Sequence, residues 1–325
     1  MFKNFRLIGL ALLLILSIAL VACGGNDNNN EPADNNNDNN AANNEEVEND
    51  GEADLEIGQE DLTVPYVAWA REAISTEILA QLLEMVGYNV DTPQVEAGPM
   101  FSSVADGSAD FHTSAWLPAT HASYWEEYEG DIVKVNEVLD TAPLALTVPE
   151  YVEDINTMED LKDNEEFGEA VNWEIIGIDP GAGIMQNTEA ALEEYGLDQW
   201  TLTTSSEAAM LTELQTAIAN EEPIIVPLWK PHWAFGDMDL KMIEDPEEIY
   251  GGEGDQIYTV ARNDLEEDAP RAYKVLEQYV ENYDMLDEMM PKVYVDEEDV
   301  ADVVKEFLDN NQDMVDEWLD GIPRD

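Results

Sequence analysis

Beyond residue 60 the chain alternates short apolar runs with stretches in which apolar positions recur at helical spacing. Residues 62–69 form a run suited to a buried strand. Ile74, Ile78, Leu79, Leu82, Leu83 and Val86 follow at intervals that predict a helix stopped by Gly87. Residues 88–95 predict a second strand, which completes a strand–helix–strand unit. A further unit runs from a strand over 174–179, through Pro180-Gly181-Ala182-Gly183, into a helix over 184–195. A third has a strand over 200–204, a helix over 206–220 with Thr204 and Glu207 at capping-box spacing, and a strand over 223–229. The C-terminal segment of about 60 residues reads as helical, with Ala272, Val275, Leu276 and Tyr279 on one face. The pattern predicts an α/β architecture of two lobes with a helical tail.

The first 60 residues follow other rules. Lys3 and Arg6 precede a continuous apolar or small-residue stretch that ends in Leu20-Val21-Ala22-Cys23. Residues 1–22 are therefore expected to be a lipoprotein signal peptide, with Cys23 diacylated as the mature N-terminus. The alternatives are a plain transmembrane anchor and a buried free thiol. Residues 26–50 hold 12 Asn, many carboxylates and no aromatic residue, so residues 23–60 are expected to be the lipidated cysteine and a disordered tether. No later run reaches the roughly 18 apolar residues of a spanning helix, so the body is expected to be soluble and extracytoplasmic.

Charge narrows the function classes. The 325 residues carry 74 Asp plus Glu against 13 Lys plus Arg, a formal net charge of −61. Such a polyanion excludes a basic nucleic-acid groove. The excess is spread along the body, as in a protein that stays hydrated in concentrated salt, and a halophilic source is expected. One cysteine allows neither an intrachain disulfide nor a zinc cluster, and no metal or cofactor is expected. The histidines are His112, His121 and His232, and no G-x-S-x-G, H-E-x-x-H or EF-hand spacing occurs, so catalysis has little support. What stands out is tryptophan beside strand ends: Trp69, Trp116 after 111–115, and Trp229 after 224–228. Ligands of open α/β sheets bind outside the carboxyl ends of strands, and indole faces suit a quaternary ammonium ion. Core packing is the competing reading for each indole.

Six separated motifs resemble the OpuAC-type glycine betaine-binding proteins of ABC importers. They are Val67-Ala68-Trp69, Val95-Glu96-Ala97-Gly98-Pro99-Met100, residues 114–121 (Ser-Ala-Trp-Leu-Pro-Ala-Thr-His), residues 177–185 (Gly-Ile-Asp-Pro-Gly-Ala-Gly-Ile-Met), residues 205–210 and Trp229-Lys230-Pro231-His232-Trp233. The resemblance covers residues 61–325. It implies a two-lobed fold like that of type II periplasmic binding proteins, with the ligand between the lobes and a permuted segment order. One lobe would be 61–147 plus 258–325 and the other 148–257, with crossovers at 146–149 and 257–262. It also implies a cage of Trp69, Trp116 and Trp229 around the trimethylammonium group. The ligand carboxylate would lie on the amides of Gly183 and Ile184 and on His121. Glycine betaine, a permease with its ATPase, and a membrane anchored through Cys23 are the implied partners. Pro227-Leu228 depart from the small residues common before the third tryptophan, which bears on the aperture of the cage. Choline, carnitine and proline betaine stay open as ligands, as does a surface hydrolase or adhesin. Asp179 is expected to support the Pro-Gly loop, and His112, His232 and Trp233 to be structural. Met100 and Met185 are candidates for either the cleft or the core. Trp125, Trp173, Trp200 and Trp318 are expected to be packing residues.

Overall fold

The computed structural model describes residues 55–324. The expected signal peptide, Cys23 and most of the tether lie outside the described residues. The last stretch of the expected tether is bound to the body. The Leu55 carbonyl accepts from the Arg271 guanidinium and the Ile57 carbonyl from the Tyr88 hydroxyl, because Leu55 and Ile57 pack on the core.

Among the described residues the strands are β1 (Asp61–Thr63), β2 (Asn89–Asp91), β3 (Phe111–Leu117), β4 (Ile132–Ala142), β5 (Leu144–Pro149), β6 (Glu174–Ile176), β7 (Thr201–Thr203), β8 (Val226–Trp229), β9 (Leu240–Met242) and β10 (Asp255–Arg262). β1 and β2 pair in parallel, with Leu62 opposite Val90. The strand is shorter than its apolar run because Pro65 has no N–H to donate. Pairing resumes as a single bridge between Tyr66 and Gln94, and Trp69 then becomes the N-cap of the helix Ala70–Met85 rather than a strand end. That helix buries its predicted apolar positions together with Arg71, Glu72, Ser75 and Thr76, so its first two turns are enclosed on all sides. Truncating one of its leucines to Ala costs about 2–5 kcal/mol by the usual cavity argument. Gly87, at φ 101°, follows the helix where an L side chain would be strained.

β10 lies between β3 and β4, antiparallel to both. Asp110 ties β3 to β1: its N–H donates to the Thr63 carbonyl and its carboxylate accepts from the Thr63 N–H. In the other half β5 lies between β8 and β9, antiparallel to both, while β6 and β7 run parallel. The Ile176 N–H donates to the Ile225 carbonyl and so joins that pair to β8. The chain passes from one sheet to the other at Pro143, since Ala142 pairs with Asp255 and Leu144 with Trp229. Gly254 sits against this passage at φ 122°, where a Cβ would come within 2.8 Å of the Pro143 nitrogen.

The helix predicted over 206–220 spans Glu207–Ala219, and the Ser206 hydroxyl caps it by accepting from the Ala209 N–H. The predicted pairing of Thr204 with Glu207 does not form. Glu207 is the first helical residue and its carboxylate points away from its own helix. The tail is helical as expected, over Leu265–Asp268, Pro270–Gln278, Tyr283–Tyr294, Val300–Asn310 and Gln312–Trp318. Ala272, Val275 and Leu276 are buried on one face, and Tyr279 is buried just past the helix end.

Candidate functional site

Four chain segments reach one place by the same local route, a strand followed by a loop and then a helix. Trp69 follows β1, Trp116 is the penultimate residue of β3, Gly183 opens the helix after β6, and Trp229 ends β8. They wall a small cavity, about 30 Å³, that Trp69, Trp116, His121, Gly183, Ile184 and Trp229 all line. All six candidate residues are thus brought together. Trp69 and Trp229 meet edge to face with ring centroids 6.4 Å apart, and His121 stacks on Trp69 at 6.2 Å. The Trp69 indole N–H donates to the Asp179 carboxylate at 3.4 Å, and the Trp116 indole N–H donates to the Ser114 hydroxyl at 3.2 Å. Both indoles are held by their edges, which leaves ring faces for contact.

His121 is fixed by two bonds to one residue. Its N–H donates to the Trp116 carbonyl and its Nδ1 accepts from the Trp116 N–H, at 2.9 and 3.0 Å. Since Nδ1 accepts, the ring proton is on Nε2, and that atom is buried without a hydrogen-bond partner. Burial pushes the pKa of His121 down to about 3, against a smaller upward pull from the Ser114 backbone, so the ring is a neutral donor at ordinary pH. A buried unpaired donor costs about 1–3 kcal/mol, which a ligand acceptor recovers.

The helix Gly183–Glu194 offers the second donor set. Ala182 provides no side-chain cap, and the Gly183 and Ile184 N–H groups have no carbonyl four residues back within the helix. The positive end of the helix dipole adds to their pull on an anion. Gly183 is required by a close approach: a Cβ there would lie 2.0 Å from the Thr120 carbonyl oxygen. The loop bearing Thr120 is held down by Asp255, whose carboxylate accepts from the Ala119 and Thr120 N–H groups at 2.7 and 2.8 Å. Tyr124 donates its hydroxyl proton to the Gly181 carbonyl at 2.8 Å and stacks on Phe101.

Other candidates sit where the cooler readings put them. His112 is fully buried against Phe101, with Nδ1 accepting from the Ser114 N–H, and burial holds its pKa well below the ordinary value. Met185 accepts from the Ile178 N–H beneath the Gly177 loop, and Met100 is core. Pro227 and Leu228 are buried in β8 and do not line the cavity. Trp173 packs on Trp200, Trp318 on Tyr279, and Trp125 lies under Lys134. Asp179 touches the Trp69 indole as well as its own loop, where its carbonyl accepts from the Ala182 N–H. One acidic residue escaped the reading of the sequence, and another was read only as a helix cap. Glu72 lines the cavity three residues after Trp69, and Glu207 accepts from the Ala70 N–H and contacts His232 Nε2 at 3.1 Å. A carboxylate set among the buried positions of a helix, three residues from a cage candidate, was the available signal for Glu72.

Residues 60–310 match the OpuAC family, described as the substrate binding domain of an ABC-type glycine betaine transport system. The chain belongs to that family. It is 38% identical over 192 residues to the glycine betaine/carnitine transport binding protein GbuC of Listeria monocytogenes serotype 1/2a (strain 10403S). That stretch covers 58% of this chain and 63% of the Listeria protein, under two thirds of its length. Among solved structures, the glycine/betaine/L-proline-binding protein ProX of Borrelia burgdorferi superposes with a TM-score of 0.76 at 32% identity, over 81% of this chain and 97% of that one. Lactococcal OpuAC in its closed, glycine betaine-bound form gives 0.74 at 31% identity, over 80% and 99%. These neighbours are type II periplasmic binding proteins of mixed α/β content, the fold class expected from the sequence.

Proposed function

We propose that the protein captures glycine betaine outside the cytoplasmic membrane and delivers it to an ABC importer permease and its ATPase. The observation that carries this reading is the unpartnered Nε2 donor of His121 in a cavity that three indoles wall. A trimethylammonium group neither donates nor accepts hydrogen bonds, so indole faces are its natural complement, at about 0.5–2 kcal/mol per contact. The carboxylate of the zwitterion takes His121 Nε2 and the amides of Gly183 and Ile184. A dry site has to supply both complements at once, because stripping water from either charge alone is costly.

In this reading two lobes close over the ligand about the chain crossings, one at Pro143 and the other just before Asp255, a few residues ahead of the 146–149 and 257–262 implied by the resemblance because Leu144–Thr147 pair with β8 and Asp255 pairs with Ala142. Cys23 carries the lipid anchor and the following tether lets the body range near the outer face of the membrane. Accumulation of a compatible solute fits the acidity expected of a protein in brine, and no catalytic step is involved. Carnitine is the second reading, favoured by the name of the Listeria relative and by a cage that accepts any trimethylammonium group; proline betaine and choline follow.

The test is calorimetric titration of glycine betaine into the protein and into its Trp69→Ala/Trp229→Ala variant. Near-complete loss of binding in the variant is expected. Unchanged affinity would sink the cage.

A further inference from the structure

The reading above leaves Glu72, a charged residue that lines the cavity, without a task. Glu72 is 1% exposed, and its Oε1 accepts from the Val67 N–H at 3.2 Å. Its Oε2 is buried and makes no hydrogen bond of good geometry, although the Ser114 side chain lies close enough to favour its charged form. A carboxyl group placed this way has one oxygen committed to the backbone and the other uncommitted, and its residue lines the cavity. It stands on the helix that Trp69 caps, beside Ser114, whose hydroxyl receives the Trp116 indole N–H. Glu72 is therefore tied to two cage indoles, through its own helix and through Ser114.

We propose that Glu72 is the ligand-linked counter-charge of the cage: a quaternary ammonium entering beside it draws off its proton, so ligand capture and proton release are coupled. The inference rests on the proposed cage. Desolvation dominates the carboxyl group and pushes its pKa up to about 8, so at neutral pH it is mostly protonated. The Ser114 hydroxyl, the Val67 N–H and the Arg71 guanidinium pull it down, and Glu207 pushes it up. Arg71 is itself committed to a paired bond with Glu281 and to the Thr113 carbonyl, and so cannot turn to neutralise Glu72. His121, in the same cavity, stays neutral and contributes no charge. Asp179, which accepts from the Trp69 indole N–H, is not among the groups that act on Glu72.

The missing stabiliser of an ionised Glu72 is thus a cation in the cavity, and the cage supplies the place for one. Entry of that cation lowers the carboxyl pKa, and the proton passes from Glu72 to solvent. Affinity then rises with pH between the bound and free pKa values, by at most about tenfold per unit for one proton. A Glu72 that instead kept its proton and gave it to the ligand carboxylate as a hydrogen bond would make affinity fall with pH.

The test is calorimetry of glycine betaine binding at pH 7 in buffers of different ionisation enthalpy, with the protein and its Glu72→Gln variant, repeated from pH 6.5 to 8.5. Net release of a fraction of a proton approaching one, affinity rising with pH in the protein, and neither effect in Glu72→Gln are expected. The proton count of the unsubstituted protein stands even if the variant folds poorly. Binding without proton transfer, or with uptake, overturns the inference and leaves the proposed function in place. Absence of saturable binding by the unsubstituted protein overturns both.

Discussion

His121 gives the sharpest quantitative handle on the anion end of the site. Nε2 is a neutral donor, fixed by two bonds to Trp116 and otherwise unpaired. Its bond to a ligand carboxylate falls in the class worth about 1.5–3 kcal/mol, which is about 10- to 150-fold in Kd. His121→Asn keeps an acceptor near the Nδ1 position for the Trp116 N–H and removes the Nε2 donor. The variant is expected to bind glycine betaine weaker by that factor and choline, which has no carboxylate, within about twofold of the unsubstituted protein. His121→Gln, whose amide nitrogen reaches further, recovers part of the loss. Because burial pushes the pKa of His121 down to about 3, removing His121 should leave the pH dependence of binding between pH 5 and 8 unchanged. Calorimetric titration reads all of these. Equal losses for glycine betaine and choline, or none for either, would refute the role assigned to Nε2.

Gly183→Ala places a Cβ 2.0 Å from the Thr120 carbonyl, so the Gly183 helix and the Thr120 loop must move apart and the site is distorted. Binding should fall more than about 100-fold in calorimetry, with a drop in thermal stability from the same clash; tight binding contradicts the close approach of Gly183 to Thr120 as a condition of the site. Glu207→Ala removes the acceptor that holds the Ala70 N–H next to Trp69 and the partner of His232 next to Trp229. A loss of roughly tenfold in affinity is expected, largely restored by Glu207→Gln, which still accepts. The Glu72 carboxyl, with its pKa raised from 4.5 to about 8 by burial, contributes stability that is fully present below pH 4.5 and is lost as pH rises through 8. In urea unfolding the advantage of Glu72→Gln over the unsubstituted protein should grow by about 1.4 kcal/mol per pH unit across that window, and a constant difference would contradict it. With a net charge of −61, thermal melts should rise in molar salt, where the Debye length is about 3 Å; indifference to salt argues against the halophile reading.

What could be read in the sequence was set by periodicity and by unusual residues. The Gly183 helix and the C-terminal end of Ala70–Met85 lay within a residue or so of their apolar patterns because burial and period coincide there, whereas the first helix starts four residues before Ile74, its first patterned position. Strand lengths were less legible. Pro65 cut the first strand to three residues, a loss that an apolar run does not encode. Trp69, Trp116, Trp229, Gly183 and His121 were found because large aromatics and a Gly-rich turn carry signals of their own. Glu72 was missed, and Glu207 read only as a capping residue, because a carboxylate in a chain with 74 acidic residues draws little notice. Their importance comes from burial and from contacts up to 137 residues away in sequence, which only the tertiary structure supplies.

The central claim is that three indoles and a carboxylate site act together on one zwitterion. Intrinsic tryptophan fluorescence of the protein in high salt, titrated with glycine betaine and then with choline, tests it directly. The account predicts a saturable change with glycine betaine and a much weaker response to choline. An equal response to choline would mean that His121, Gly183 and Ile184 contribute nothing, and no response to either would return the three tryptophans to core packing.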